Sequence, residues 1–232
     1  MLFAKIAKVL NDFGITKDLY DFIMSSGEAT YIDLEQNQIN GFKKYNKNYL
    51  YIGPEKDVDL LDGLNYNLVQ NAKDADFAIT TGFDKDDSTI EEKLSQILDA
   101  KKYNLDLICV NPDMIVVKKS GLEMLCAGVI AKHYQEIGGK VTYYGKPYKS
   151  VYEISCKLFG DNIDKSKILA IGDGLETDIS GANEFGIDNL LLTGGILSNS
   201  INNNLPEKEF TVELIKICNK YNSKPKFFTK YL

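Results

Sequence analysis

Two periods of apolar residues run through this chain, one helical and one strand-like, and they alternate. Residues 2–13 place Phe3, Ile6, Leu10 and Phe13 on one helical face, and Gly14 with Ile15 supplies a stop. Residues 22–25 read as a short strand, Ser26 opens a second helix, and residues 37–41 break it. Short apolar runs then recur at 49–52, 76–81, 107–110, 141–144, 168–171 and 189–193. Between them lie helical patterns at 55–61, 89–101 (stripe Ile90, Leu94, Ile97, Leu98), 122–137, the segment after Pro147, and 207–219. Strands alternating with helices predict parallel α/β sheet with right-handed crossovers. The run from Ile168 to Ile171 has no polar break, which predicts a strand buried on both faces.

That run leads into Gly172-Asp173, where a parallel strand meets a ligand crevice. Thr177 and Asp178 open a helix with Ile179, Ala182 and Phe185 on its apolar side, and Gly186 ends it. Two carboxylates five residues apart would repel each other, and a hard divalent cation with oxygen ligands, Mg²⁺ above all, relieves that. Taken singly, Asp178 also reads as a helix cap and Asp173 as a turn residue. Lys146 follows a strand in Gly145-Lys146-Pro147, and alone it reads equally as a solvated turn lysine.

The longer string is more specific. Gly172-Asp173, Thr177-Asp178-Ile179, Ala182 and Gly186, followed by Asn189 to Thr193 and Gly194-Gly195-Ile196, resembles the fourth motif of haloacid dehalogenase (HAD) superfamily phosphatases. Gly145-Lys146-Pro147 resembles their third motif. Asn111-Pro112-Asp113 with Cys126-Ala127-Gly128 resembles the cap of the class IIA branch. The resemblance implies a Rossmann-like core with an inserted α/β cap: residues 1–37 as the rest of the core's N-terminal half, 38–143 as cap, and 144–232 as the C-terminal half. It also implies Mg²⁺-dependent phosphomonoester hydrolysis through an aspartyl-phosphate, acting on a small phosphorylated metabolite. Asp173 and Asp178 would be the metal ligands and Lys146 the phosphate-stabilising lysine, with Asn111, Pro112 and Asp113 as substrate-binding positions in the cap.

The family's first motif, an apolar strand running into Asp-x-Asp-Gly, has no counterpart here. Asp57/Asp59 follows a Gly-Pro-Glu-Lys turn, Asp74/Asp76 precedes a strand instead of ending one, and Asp84/Asp86 lies in a charged loop, so all three pairs read as surface carboxylates. The second motif is likewise absent. The expectation is a core incomplete at its N-terminus, inactive as this chain alone, with a separate N-terminal fragment as a partner. The alternative is a non-catalytic remnant or a phosphate- and Mg²⁺-binding protein. Gly172-Asp173-Gly174 also touches the dinucleotide fingerprint, but Thr177 occupies its third glycine position.

Composition narrows the partners. Net charge is −6, from 27 basic and 33 acidic residues among 232, so no basic footprint for nucleic acid exists. The apolar runs are strand-sized, which argues against a membrane span or leader and makes a cytoplasmic setting the expectation. The basic, aromatic residues 224–232 are too short for an interfacial helix. Four scattered cysteines, Cys109, Cys126, Cys156 and Cys218, lack metal or disulfide spacing. His133, the only histidine, cannot build a multi-histidine site and reads as a surface or packing residue.

Overall fold

Apolar runs become strands where a neighbour is present to pair with, and the computed structural model shows where that condition holds. It describes residues 2–117, 122–160, 162–202 and 204–232. They fall into two units, Met1–Gly145 and Lys146–Leu232.

In the first unit, helices α1 (Leu2–Asp12) and α2 (Ser26–Ile39) precede the sheet. Gly14, at φ 82°, stops α1, and Ser25 caps α2 by accepting a hydrogen bond from the Glu28 N–H at 3.1 Å. Of the expected α1 stripe, Ile6 and Leu10 are half-buried and Phe13 is exposed, while the Phe3 side chain lies outside the described residues. Residues 22–25 are irregular instead of a strand, for no described strand pairs with them.

Strands β1 (Asn48–Ile52), β2 (Asn67–Val69), β3 (Phe77–Thr80), β4 (Asp106–Cys109) and β7 (Val141–Tyr143) form one parallel sheet in the order β2-β1-β3-β4-β7. Helices α3 (Leu94–Lys102) and α4 (Ala127–Glu136) cover one face, where Ile52, Ala78, Leu107 and Cys109 pack with Ile97, Ile130 and Tyr134. On the other face the Phe77 ring meets those of Tyr45, Tyr49 and Tyr66 at centroid distances of 5.0, 6.0 and 5.6 Å. The central strand β3 is therefore buried at all positions, as a parallel strand with two covered faces should be.

Local departures from the sequence reading have local causes. The 55–61 helix is a 3₁₀ segment, Glu55–Leu61, and a further 3₁₀ turn, Ile90–Lys93, precedes α3. Leu98 faces solvent, and Lys93, joined to Asp84 at 2.5 Å, is buried. The helix expected from 122 begins only at Ala127, because an antiparallel hairpin, β5 (Ile115–Val117) with β6 (Glu123–Leu125), occupies the approach.

The second unit holds α5 (Lys149–Phe159), β8 (Leu169–Gly172), α6 (Ser180–Phe185), β9 (Asp188–Leu192), α7 (Glu207–Lys220) and β10 (Phe227–Thr229). Its parallel sheet runs β10-β9-β8, so the basic, aromatic tail is a strand paired with β9. One face is packed: Ala170 lies against Ala182, Phe185 and Ile187, and Leu191 against Ile179, Leu214 and Cys218. The opposite face is not. Parallel register puts Ile171, Leu190 and Phe227 in one row, with Ile171 47% and Phe227 49% exposed; Leu169, two residues before Ile171, is 46% exposed. The strand expected to be buried on both faces is thus half-buried on one and exposed on the other, and it lies at the sheet's edge with nothing described pairing beyond it.

Candidate active site

The carboxyl end of β8 gathers the predicted metal ligands and the lysine within the second unit. After Gly172 and Asp173 the chain makes a π-helical turn, Leu175–Ile179, before α6 begins. The Ile179 N–H reaches the Gly174 carbonyl at 3.1 Å, five residues back, and Ser180 Oγ donates to the Leu175 carbonyl at 2.8 Å. The wide turn lays the Asp178 carboxylate against the backbone flanking Asp173. Its Oδ2 accepts from the Gly174 N–H at 3.0 Å, and its Oδ1 accepts from Lys146 Nζ at 2.5 Å. Asp178 is largely buried and Lys146 half-exposed.

Asp173 is held from the other side. Its Oδ2 accepts from the Ile196 N–H at 3.0 Å, in the loop that follows β9. Glycines make both placements possible. A Cβ on Gly172 would lie 2.3 Å from Asp178 Cγ, and one on Gly195 would lie 2.2 Å from Asp173 Oδ2. Tyr152 on α5 stacks on Phe185 at 5.3 Å, and its hydroxyl donates to the Asp178 carbonyl at 3.4 Å. Burial, with the Asp178 charge adding to it, pushes the Tyr152 phenol up to about 12.

These side chains offer hard oxygen donors and one ammonium, the set that suits a small divalent cation and a phosphoryl group. No group of three or more His, Cys, Asp or Glu side chains placed to hold a metal ion occurs among the described residues. Two carboxylates with open positions are how Mg²⁺ is held when substrate oxygens and water complete its shell. The residues present therefore fit that ion.

Other sequence candidates fall elsewhere. Asn111, Pro112 and Asp113 form the turn after β4 in the first unit, where Asn111 Oδ1 accepts from the Asp113 N–H at 3.2 Å and the Asp113 carbonyl from the Gly128 N–H at 3.0 Å. A Cβ on Gly128 would stand 2.3 Å from the Pro112 carbonyl oxygen, so Asn-Pro-Asp and Cys-Ala-Gly are two halves of one close backbone contact. Asp74, Asp76, Asp84 and Asp86 are exposed, and Asp57 and Asp59 half-buried; all belong to the first unit. His133 Nδ1 lies 4.0 Å from Glu136 on the surface of α4, and the four cysteines are free. Sequence reading missed the roles of the Ile196 N–H and Tyr152. Gly194-Gly195 after a strand was the available signal for the first; nothing local marks the second.

A family model described as HAD-hydrolase-like matches residues 143–213, the stretch that carries this site. Among solved structures, a hydrolase of the haloacid dehalogenase-like family from Brucella suis 1330 is 30% identical, with a TM-score of 0.70 over 83% of this chain and 72% of that one. A p-nitrophenyl phosphatase from Archaeoglobus fulgidus, 17% identical, shares the fold with a TM-score of 0.66 over 98% of this chain and 78% of its own. A possible sugar phosphatase from Cytophaga hutchinsonii, 20% identical, does so at 0.67 over 98% and 77%. No curated protein matches the chain.

Proposed function

Since this chain belongs to the haloacid dehalogenase-like family, we propose that its second unit is the metal- and phosphate-holding half of a phosphomonoester hydrolase. The observation that carries this reading is the convergence of Lys146, Asp173 and Asp178 at the end of β8, each carboxylate fixed by a main-chain N–H. Asp173 and Asp178 would hold Mg²⁺, which when bound supplies neutralising charge at the phosphoryl oxygens. Lys146 contributes a second positive charge to the same oxygens. Its ammonium rests on Asp178, which holds the lysine at the site. The Gly174 and Ile196 N–H groups orient the carboxylates. Residues 38–143, with their own parallel sheet and the Asn111-Pro112-Asp113 turn, would serve as the cap.

Hydrolysis through a phospho-enzyme also needs a carboxylate nucleophile aimed at phosphorus. None of the Asp-x-Asp pairs ends a strand of the second unit, so this chain by itself should bind Mg²⁺ and phosphate without turnover. Calorimetry with Mg²⁺ in the presence of inorganic phosphate tests the binding. We expect the Asp173→Asn and Asp178→Asn variants each to lose at least tenfold in Mg²⁺ affinity; unchanged affinity in both would overturn the assignment. Hydrolysis of p-nitrophenyl phosphate by residues 1–232 should be no faster than by Asp173→Asn. Turnover that the substitution abolishes would reveal a nucleophile within this chain.

A further inference from the structure

Within the second unit, α5, the loop before β8 and the end of α6 enclose a hollow of about 420 Å³ that none of Lys146, Asp173 and Asp178 lines. Its volume falls in the range of small-molecule sites, about 300–1,000 Å³. Tyr152, Phe159, Leu169, Phe185 and Ile187 form most of the wall, and Lys167 completes it. Other polar groups of the lining are satisfied elsewhere. The Tyr152 hydroxyl donates to the Asp178 carbonyl at 3.4 Å and Ser155 Oγ to the Val151 carbonyl at 2.7 Å. Burial pushes the Cys156 thiol up from its ordinary value, which keeps it neutral. Lys167 is the exception, for it is exposed and its ammonium has no hydrogen-bond or ion-pair partner among the described residues. Asp164, next to Ile163, accepts from the Ser166 N–H and hydroxyl at 3.0 and 2.7 Å, and Asp188, next to Ile187, is paired with Lys226 at 2.7 Å. Lys165 is engaged as well, donating to the Phe185 carbonyl at 2.8 Å with its Nζ 3.6 Å from the Phe185 ring centre.

We infer that this hollow is a binding site for a small amphipathic anion, an apolar body carrying one carboxylate or sulfonate, with the body among the rings and aliphatic side chains and the charged head at Lys167. Phe185 and Ile187 are buried whereas Phe159 and Leu169 are exposed, so apolar wall runs from the floor to the mouth. An apolar body laid along it leaves water over its whole length, and each added methylene raises affinity. The head group is chosen by charge. Lys167 can lay its stem on the apolar rim and keep its ammonium in water, where an anion meets an unpaired charge and a cation is repelled. Few, precisely placed polar groups on an otherwise apolar wall are what fixes a ligand's orientation in such a site. The site is independent of the hydrolase reading, since none of its lining residues holds metal or phosphate there.

Calorimetry of the whole chain with decanoate, kept below its micelle concentration, tests this. One decanoate should bind per chain, more tightly than octanoate and at least tenfold more tightly than decylammonium. Lys167→Glu, at an exposed position, should weaken decanoate at least tenfold and narrow the gap to decylammonium. Cys156→Trp, which fills the hollow, should abolish binding of both; a circular dichroism spectrum like the parent's shows that the variant folds. Phe227→Ser, on the bare face of the sheet, and Lys146→Ala should each leave decanoate binding unchanged. Absence of one-to-one binding, or equal affinity for decanoate and decylammonium, would overturn the inference. So would loss in Phe227→Ser, which would put the ligand on the bare face, or loss in Lys146→Ala, which would put it at the phosphate site. Affinity that falls as the protein is concentrated would mean that a second copy fills the hollow, and would overturn it too.

Discussion

Strands β3 and β8 are near twins in sequence, Phe-Ala-Ile-Thr and Leu-Ala-Ile-Gly, and opposites in the structure. The first is buried at every position, with a strand on each side, helices on one face and a cluster of aromatic rings on the other. Among the described residues the second pairs on one side only, and it exposes every other residue. An apolar tetrapeptide therefore records that a segment will be a strand; how much surrounds it is decided by elements distant in the chain. The candidate site sits at the less enclosed of the two. Asp173 follows the open strand directly, and among the described residues the sheet that should brace it has three members against five in the first unit's parallel sheet.

The sharpest way to break this comparison is a matched pair of substitutions. Ile79 on β3 is 1% exposed and Ile171 on β8 is 47% exposed. Ile79→Ala should cost about 2–5 kcal/mol, the range for deleting a buried isoleucine without collapse of the cavity. Ile171→Ala should cost no more than about 1 kcal/mol, mostly lost strand preference. Urea denaturation followed by a probe in each unit reads both. Equal costs would mean that the bare face is covered in solution.

Exchange of backbone amides sharpens the same contrast without a mutation. Amides of Phe77–Thr80 and Leu107–Cys109 lie between paired strands, whereas those of Leu169–Gly172 lie on an edge. Edges open locally at lower cost than centres. We expect β8 to exchange at least tenfold faster than β3 in the chain alone. The reverse order would show that the second sheet is closed.

How much of this was legible beforehand follows the same line. The helix stops at Gly14 and Gly186 were readable because each depends on a short string with a steric reason, the parallel order because strands and helices alternate, and the gathering of Lys146 with Asp173 and Asp178 through the resemblance of their motifs. The β5–β6 hairpin and the pairing of residues 227–229 with β9 were not. Three-residue strands carry too little period to be seen, and their partners are set by register far away. The exposure of Leu169 and Ile171 was unreadable in principle, since it depends on a neighbour and not on the strand.

Glycine substitutions separate scaffold from site. A Cβ on Gly139, in the first unit, would lie 2.3 Å from the buried Tyr134 ring; a Cβ on Gly172 would lie 2.3 Å from Asp178 Cγ. Forcing atoms into a packed interior costs about 1–3 kcal/mol. Gly139→Ala should show that loss in stability and leave Mg²⁺ affinity unchanged. Gly172→Ala displaces a carboxylate that is not in the apolar core, so it should lower Mg²⁺ affinity severalfold with a smaller change in stability. Identical outcomes for the two would count against a site at the end of β8.

The smallest effect expected is in the alkaline titration, where each unit carries a reporter. Tyr134 in the first unit and Tyr152 in the second are both pushed up to about 12 by burial, with Asp106 adding to the first and Asp178 to the second. In the unfolded chain both phenols ionise near 10. Between those values the unfolded state has lost protons that the folded state retains, so stability falls as pH rises from 10 toward 12 and is undiminished below 10. Phenolate absorbance should show both residues ionising late. Asp178→Asn removes a neighbouring negative charge and should bring Tyr152 down while leaving Tyr134 where it was. If Tyr152 instead ionises at the ordinary tyrosine value in the parent chain, the α5–α6 side of the second sheet is as open as its bare face, and the contrast between the units is larger than the structure draws it.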